Sequence, residues 1–199
     1  MATTGRPRDA RVDAAILDAT RAILARDGYA GLTMDAVAEQ AGIGKAAIYR
    51  RHATKQEMVF AAAIHEAELP VRPDTGSLAG DLTALVQEIV DHLTGPAASA
   101  AVLGLLADLG PDSALGARFR ERFVTRELAD IEALLDRAVE RGELPPPPSR
   151  PDATTVHALV TGPVFAFLYL QRTPPDGLPE RLGPLIAGAL TVTEGPPGP

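Results

Sequence analysis

The 199-residue sequence contains no cysteine and no tryptophan, and aromatic residues make up only 4% of it. Without cysteine, disulfides, thiolate metal sites and cysteine nucleophiles are all excluded. With so few aromatics, a core has to be built from Ala, Leu, Val and Ile. That choice, combined with the scarcity of strand-favouring runs, points to helices. The residues from Met1 to Val12 are polar and arginine-rich and lack the apolar segment of a secretory signal. The longest uncharged run, Ala153 to Gln171, contains Thr154, Thr155, His157, Gly162 and Pro163. A membrane span needs about 20 mostly apolar residues, so this run is expected to be a buried helix of a cytoplasmic protein with no membrane partner. Metal-ligand spacing is missing as well. His65, His92 and His157 fall on separate expected helices, and Leu69 stands where a His-Glu-x-x-His pattern from His65 needs its second ligand. No metal and no cofactor are expected.

The formal net charge of −7 has the wrong sign for a nucleic-acid partner until it is divided along the chain. Residues 1–60 carry nine basic and seven acidic side chains, and the rest carries ten basic and nineteen acidic. That asymmetry, rather than the mean, is informative. Only two of the nineteen basic residues are lysines, Lys45 and Lys55, and both lie in the basic part.

Apolar periodicity divides the chain into helices. A basic arm, Arg6 to Arg11, precedes a helix with Ile16, Ala19, Ile23 and Leu24 on one side, ended by Asp27-Gly28. Thr33 opens a short helix (Met34, Val37, Ala38, Ala41), Gly42 closes it, and another short helix carries Ile48 and Tyr49. Thr54-Lys-Gln-Glu57 is a capping box that starts a longer helix fading before Pro70. Leu78 to Leu93 is amphipathic, and Ala97 to Leu109, apolar almost all round, reads as a central buried helix. Asp112 to Gly142 is the longest helical stretch, with Leu115, Phe119, Phe123, Leu128, Ile131, Leu135 and Ala138 inward. Pro145 to Pro148 predicts a stiff extended connector, helices are expected over 152–171 and 176–191, and Glu194 to Pro199 are expected to be disordered. Gly162-Pro163 should kink the first of these two helices. Its expected role is a packing kink at a subunit interface, with space for a ligand as the other possibility. The expectation is an all-α fold of about nine helices: residues 1–55 a helix-turn-helix domain, with a basic arm at 1–11, and 56–193 a helical ligand-binding and dimerisation domain.

Residues 33–52 have helix-turn-helix spacing. Val37 and Ile48 are apolar where two crossed helices pack, Ala38 is small at their closest approach, and Gly42 suits a positive φ in the sharp turn. The second helix presents Lys45, Ala46, Ala47, Tyr49 and Arg50 outward. Its small N-terminal residues would let it sink into a major groove about 12 Å wide. Arg6-Pro-Arg8, Gly28-Tyr29, the run Leu32 to Ala38, Ala41-Gly42-Ile43, Ile48 to Arg51 and Thr54 to Glu57 together resemble the TetR family of bacterial transcriptional regulators. Thr161-Gly162-Pro163 followed by aromatics is similar to one C-terminal branch of that family.

The resemblance implies roles position by position. Thr33 would cap the second helix and face a phosphate, and Lys45, Tyr49 and Lys55 would contact the DNA backbone. Ala46, Ala47 and Arg50 would face base edges, and Arg50 could reach guanine in a bidentate contact. The basic arm could enter a minor groove. Two positions depart from the family pattern: Gly44 stands where Ser or Thr usually caps, and His52 where a large aromatic is usual. Both bear on stability more than on DNA contact. The implied protein is a homodimer, joined through 152–171 and 176–191. It would bind a pseudo-palindromic double-stranded operator, as a repressor released by a small-molecule effector. His92, His157 and Phe165 are the candidate effector-binding residues. A non-specific nucleoid protein is the first alternative, disfavoured by the small positive excess of the N-terminal part. An all-helical enzyme is the second, and the sequence shows no nucleophile triad, phosphate loop or telling carboxylate pair for it.

Overall fold

The structure, a computed structural model, describes residues 6–65, 74–108, 116–117 and 120–191. Those residues hold nine α-helices and no strand. They are α1 (Arg6–Gly31), α2 (Met34–Ala41), α3 (Lys45–Tyr49), α4 (Lys55–Phe60), α5 (Leu78–Thr94), α6 (Pro96–Asp108), α7 (Thr125–Glu140), α8 (Ala153–Phe165) and α9 (Leu178–Thr191). Three single π-turns extend helices: Ala61–His65 after α4, Arg120–Val124 before α7, and Ala166–Leu170 after α8.

The chain divides into two compact units, the first from the described residues within Met1–Leu69 and His92–Ala117, the second from those within Pro70–Asp91 and Arg118–Pro199. In the first unit a buried cluster joins Ile16, Ala19, Ile23 and Leu24 of α1 to Leu32, Val37, Ala38, Ile48, Met58, Val59 and Ala101. Every α1 position read as inward from its spacing is in it. α1 begins at Arg6, so residues expected as an arm form its first turns. Gly28 leaves helical geometry at φ 68° and ψ −178°, which is where Asp27-Gly28 was expected to end the helix. α6 belongs to this unit and packs on α1. Contrary to the expectation of a central buried helix, it is buried on one side only: Ala98, Ala101, Val102 and Leu105 face inward, while Leu103 and Leu106 are 52% and 40% exposed. Helical geometry gives one side of a rod to the core, whatever the composition of the other side.

In the second unit α5, α7, α8 and α9 bury Leu82, Leu85, Val86, Ile131, Leu134, Leu135, Val156, Val160, Leu178 and Ile186. α9 lies so close to α5 that a Cβ on Gly183 would sit 2.7 Å from the Thr83 backbone. Where α5 begins, Asp81 is 2% exposed. Its Oδ1 accepts from Thr75 N at 2.8 Å and Thr75 Oγ1 at 2.7 Å, and its Oδ2 accepts from Arg141 Nη2 at 3.0 Å. Glu143 completes the join, taking Arg141 Nε at 2.5 Å and capping α5 through the Leu78 amide at 2.8 Å.

Three further expectations change. Pro145 to Pro148 do not run straight, because Ser149 N donates to Pro146 O at 3.1 Å and closes a turn. Arg150 follows, 7% exposed, its guanidinium held by Glu132 and by Asp136 at 2.9 Å. α8 is not a buried helix: Ala153, Val156, Val160 and Val164 are inward, while Leu159 is 41% exposed. By length and composition alone Ala153–Leu170 could cross a membrane, which corrects the expectation that this run is too short and too polar; helices packed in protein cores pass the same test. Leu115, Phe119, the Phe123 side chain and the tail from Glu194 lie outside the described residues.

Candidate nucleic-acid interface

The helix-turn-helix is built by its caps. Thr33 takes an extended conformation (φ −129°, ψ 154°) ahead of α2, and its Oγ1 accepts from Ala36 N at 3.1 Å. This satisfies one of the free amides at the start of the helix. Gly42 ends α2 at φ 64°, ψ 31°, and the Ile43 amide reaches back to Ala38 O at 3.0 Å. A left-handed residue there turns the chain within three positions, and glycine takes that conformation without steric cost. Val37 and Ile48 are both wholly buried, which fixes α2 against α3. Gly44 precedes α3 without a side-chain cap.

Once Ile48 is committed inward, the remaining side chains of α3 point away from the core. Lys45 and Ala46 are exposed, Ala47 is half-buried, Tyr49 is 52% exposed, and Arg50, just after the helix, is exposed. Thr33 is exposed one helix earlier. Six of the seven residues expected to meet DNA are therefore on or beside these two short helices. Lys55 is different: its Nζ donates to the Tyr29 carbonyl and lies 4.1 Å above the Tyr29 ring centroid. Burial pulls its pKa down, against the opposing pull of Asp108. A lysine expected to face a phosphate is turned toward α1.

Several positioning side chains carried no signal in the sequence. Arg51 Nη1 donates to Ala47 O at 3.1 Å while its Nε pairs with Asp13 of α1, so the end of α3 is anchored to the first helix. Arg21 of α1 donates from Nε to Ala62 O at 2.9 Å, in the π-turn after α4. The capping box forms as expected, with Thr54 Oγ1 accepting from Glu57 N at 3.1 Å and Glu57 Oε2 accepting from Ala53 N at 2.7 Å. His52, half-buried beside it, has its pKa lowered by burial, with Glu57 and Asp13 pulling the other way.

At the far end of α6, Asp108 accepts from Tyr29 Oη at 2.5 Å and from Gln56 Nε2 at 2.9 Å. The Tyr29 pKa is raised by burial first and by Asp108 second, so the phenol stays protonated as the donor. The Tyr29 hydroxyl and Gln56 lower the pKa of Asp108, which stays ionised as the acceptor. Asp108 lies 79 positions from Tyr29 and 52 from Gln56, and no local pattern pairs them.

The three candidate effector residues lie on later helices of the chain. His92 is half-buried on the last turn of α5. His157 Nε2 meets Glu127 Oε2 at 2.9 Å, joining α8 to α7. Phe165 ends α8 with its ring 4.7 Å from that of Tyr169. Among the described residues, no cluster of acids and histidines forms a metal site.

Family comparisons agree with this architecture. Residues 16–62 match the family described as bacterial regulatory proteins, tetR family, and residues 72–182 match the tetracyclin repressor-like C-terminal domain. The HTH-type transcriptional regulator YdeS of Bacillus subtilis is 32% identical over 169 residues, covering 81% of this chain and 80% of that one. The regulator Mb1581 of Mycobacterium bovis is 37% identical over 130 residues, which are 65% of this chain. The match spans 63% of the length of that mycobacterial relative. In fold, the crystal structure of NalD, described as the secondary repressor of the MexAB-OprM multidrug efflux pump in Pseudomonas aeruginosa, aligns with a TM-score of 0.63. It is 21% identical and covers 92% of this chain and 98% of its own. A matched C-terminal domain of more than half the chain, behind a matched helix-turn-helix, places this protein in the TetR family of bacterial transcriptional regulators.

Proposed function

We propose that this protein is a cytoplasmic, dimeric repressor that binds a pseudo-palindromic operator through α2 and α3 and releases it on binding a small effector. The observation that carries the proposal is the outward side of α3. There Lys45, Ala46, Tyr49 and Arg50 are exposed while Ile48 is wholly buried. Thr33, Lys45 and Tyr49 take phosphates, which set register and orientation, and Ala46, Ala47 and Arg50 face base edges. Lys55 serves this surface indirectly, by holding α4 to Tyr29.

Dimerisation is supported by what α8 and α9 leave uncovered. Ala158, Leu159, Leu185, Gly188 and Ala189 are exposed, Leu185 at 68%. A second copy of the same surface would cover them, and one-sided apolar exposure is typical of such an interface. The candidate effector contacts are His92, His157 and Phe165, on the helices that follow the helix-turn-helix. The effector acts by its differential affinity for two conformations.

Fluorescence anisotropy on duplexes from the DNA flanking its own gene, with random DNA as control, tests the proposal. One segment should bind at least about a thousandfold more tightly than random DNA, and Lys45→Ala and Tyr49→Ala should both lose that binding. Equal, salt-sensitive binding to every segment would instead make this a non-specific DNA coat.

A further inference from the structure

Between Thr33 and His52 the sequence carries two acids, Asp35 and Glu39, against three cations, Lys45, Arg50 and Arg51, and the last of these is tied to Asp13. So small a positive excess is unexpected on a surface meant for a polyanion. The structure pairs one acid with one cation. Lys45 Nζ lies 2.7 Å from Asp35 Oδ2, with the two side chains 60% and 63% exposed. Asp35 is the second residue of α2 and Lys45 the first of α3, so two rigid elements hold both ends of the contact. The pair is not needed to hold the motif together, because the wholly buried Val37 and Ile48 and the turn at Gly42 already fix α2 against α3. Exposed pairs of this kind add little stability.

Resting on the DNA-binding reading above, we infer that Asp35 is a built-in competitor for the phosphate that Lys45 contacts, an acid placed to limit how tightly the protein holds any duplex. A phosphate and the Asp35 carboxylate are both acceptors for one ammonium. Lysine has three donors and can serve both, but two anions sharing it repel each other across a few ångströms of partly excluded water. Complete displacement of the carboxylate instead forfeits the contact it makes now. Either route weakens the phosphate contact, and by the same factor for every sequence. Random DNA is held almost entirely by phosphates, so this cost lowers its affinity, while the base contacts of an operator remain in reserve. Asp35 thus sets affinity and salt sensitivity without reading a base.

The test compares the wild type with Asp35→Asn, Asp35→Ala, Lys45→Met and the double variant Asp35→Asn/Lys45→Met. The probes are a random-sequence duplex and the strongest duplex enriched from a randomised pool by the wild type. Asp35→Asn should tighten binding to both about fivefold near 0.1 M salt. It should also steepen the logarithmic salt dependence by up to about one unit. Asp35→Ala should show the same gain, which separates loss of the charge from any effect of asparagine on the start of α2. The gain should vanish in the double variant, which should bind no more tightly than Lys45→Met. Unchanged or weaker binding by both Asp35 variants overturns the inference. So does a gain that persists in full without Lys45, since the acid would then act through the general field. If the wild type enriches no duplex at all, the regulator reading falls and this inference falls with it. Enrichment with unresponsive Asp35 variants overturns the inference alone.

Discussion

At the scale of single residues, the second unit depends on a carboxylate that has left water. Burial by itself would raise the Asp81 pKa, but the amide and hydroxyl of Thr75 and the Arg141 guanidinium outweigh it and hold the pKa below its ordinary value. A depressed acid contributes stability that is fully present above its unfolded pKa, near 4, and is lost as pH falls through the folded value. Asp81→Asn should therefore cost about 1–2 kcal/mol at neutral pH, because it removes a buried, hydrogen-bonded charge while Arg141, partly exposed, keeps Glu143 and Asp74 as partners. Urea unfolding at a series of pH values checks this. The gap between wild type and variant should close as the pH drops below 4, and a gap independent of pH would contradict the assignment. The first unit uses an exposed carboxylate instead: Asp108, at the end of α6, accepts from Tyr29 of α1 and Gln56 of α4.

At the scale of elements, close approach imposes requirements that composition does not. α9 meets α5 at Gly183, where any side chain would press on the Thr83 backbone at 2.7 Å. Gly183→Ala should destabilise by about 1–3 kcal/mol, the cost of overpacking a filled site, against the gain that alanine usually brings to a helix interior. A thermal melt that rises instead would show that the two helices can separate. What the sequence disclosed about these elements followed from periodicity and caps. Thr33, Gly42, Thr54 and the inward set of α1 were all legible, because each works through residues at most four positions away. The outward exposure of Leu103 on α6 and Leu159 on α8 was not, because apolar residues all round a helix do not say which side meets a neighbour. Nor were the contacts of Arg51 with Asp13 or of Tyr29 with Asp108, since chain topology alone brings them together. The Lys55 contact with Tyr29 was not legible either, because it joins residues 26 positions apart.

At the scale of the whole molecule, the charge asymmetry acquires a physical meaning. The acidic excess lies after residue 60, and the small basic excess lies in the part that carries the helix-turn-helix. A surface so weakly positive cannot rely on long-range attraction alone. In the dimeric repressor proposed above, it would gain by using two copies, each with a recognition helix, on a two-fold-related site. On the dimeric reading proposed above, the exposed Leu159 and Leu185 would supply the contact for that second copy. The half-sites should then be centred about one helical turn apart.

The most direct test of this account is to insert about five base pairs, half a helical turn, between the half-sites of the enriched duplex. Affinity is measured alongside the number of chains bound per duplex. Two chains on the parent duplex, and a fall in affinity of at least about a hundredfold on the interrupted one, is the result expected of a rigid dimer reading both halves on one face. One chain per duplex, with affinity indifferent to the insertion, would contradict it.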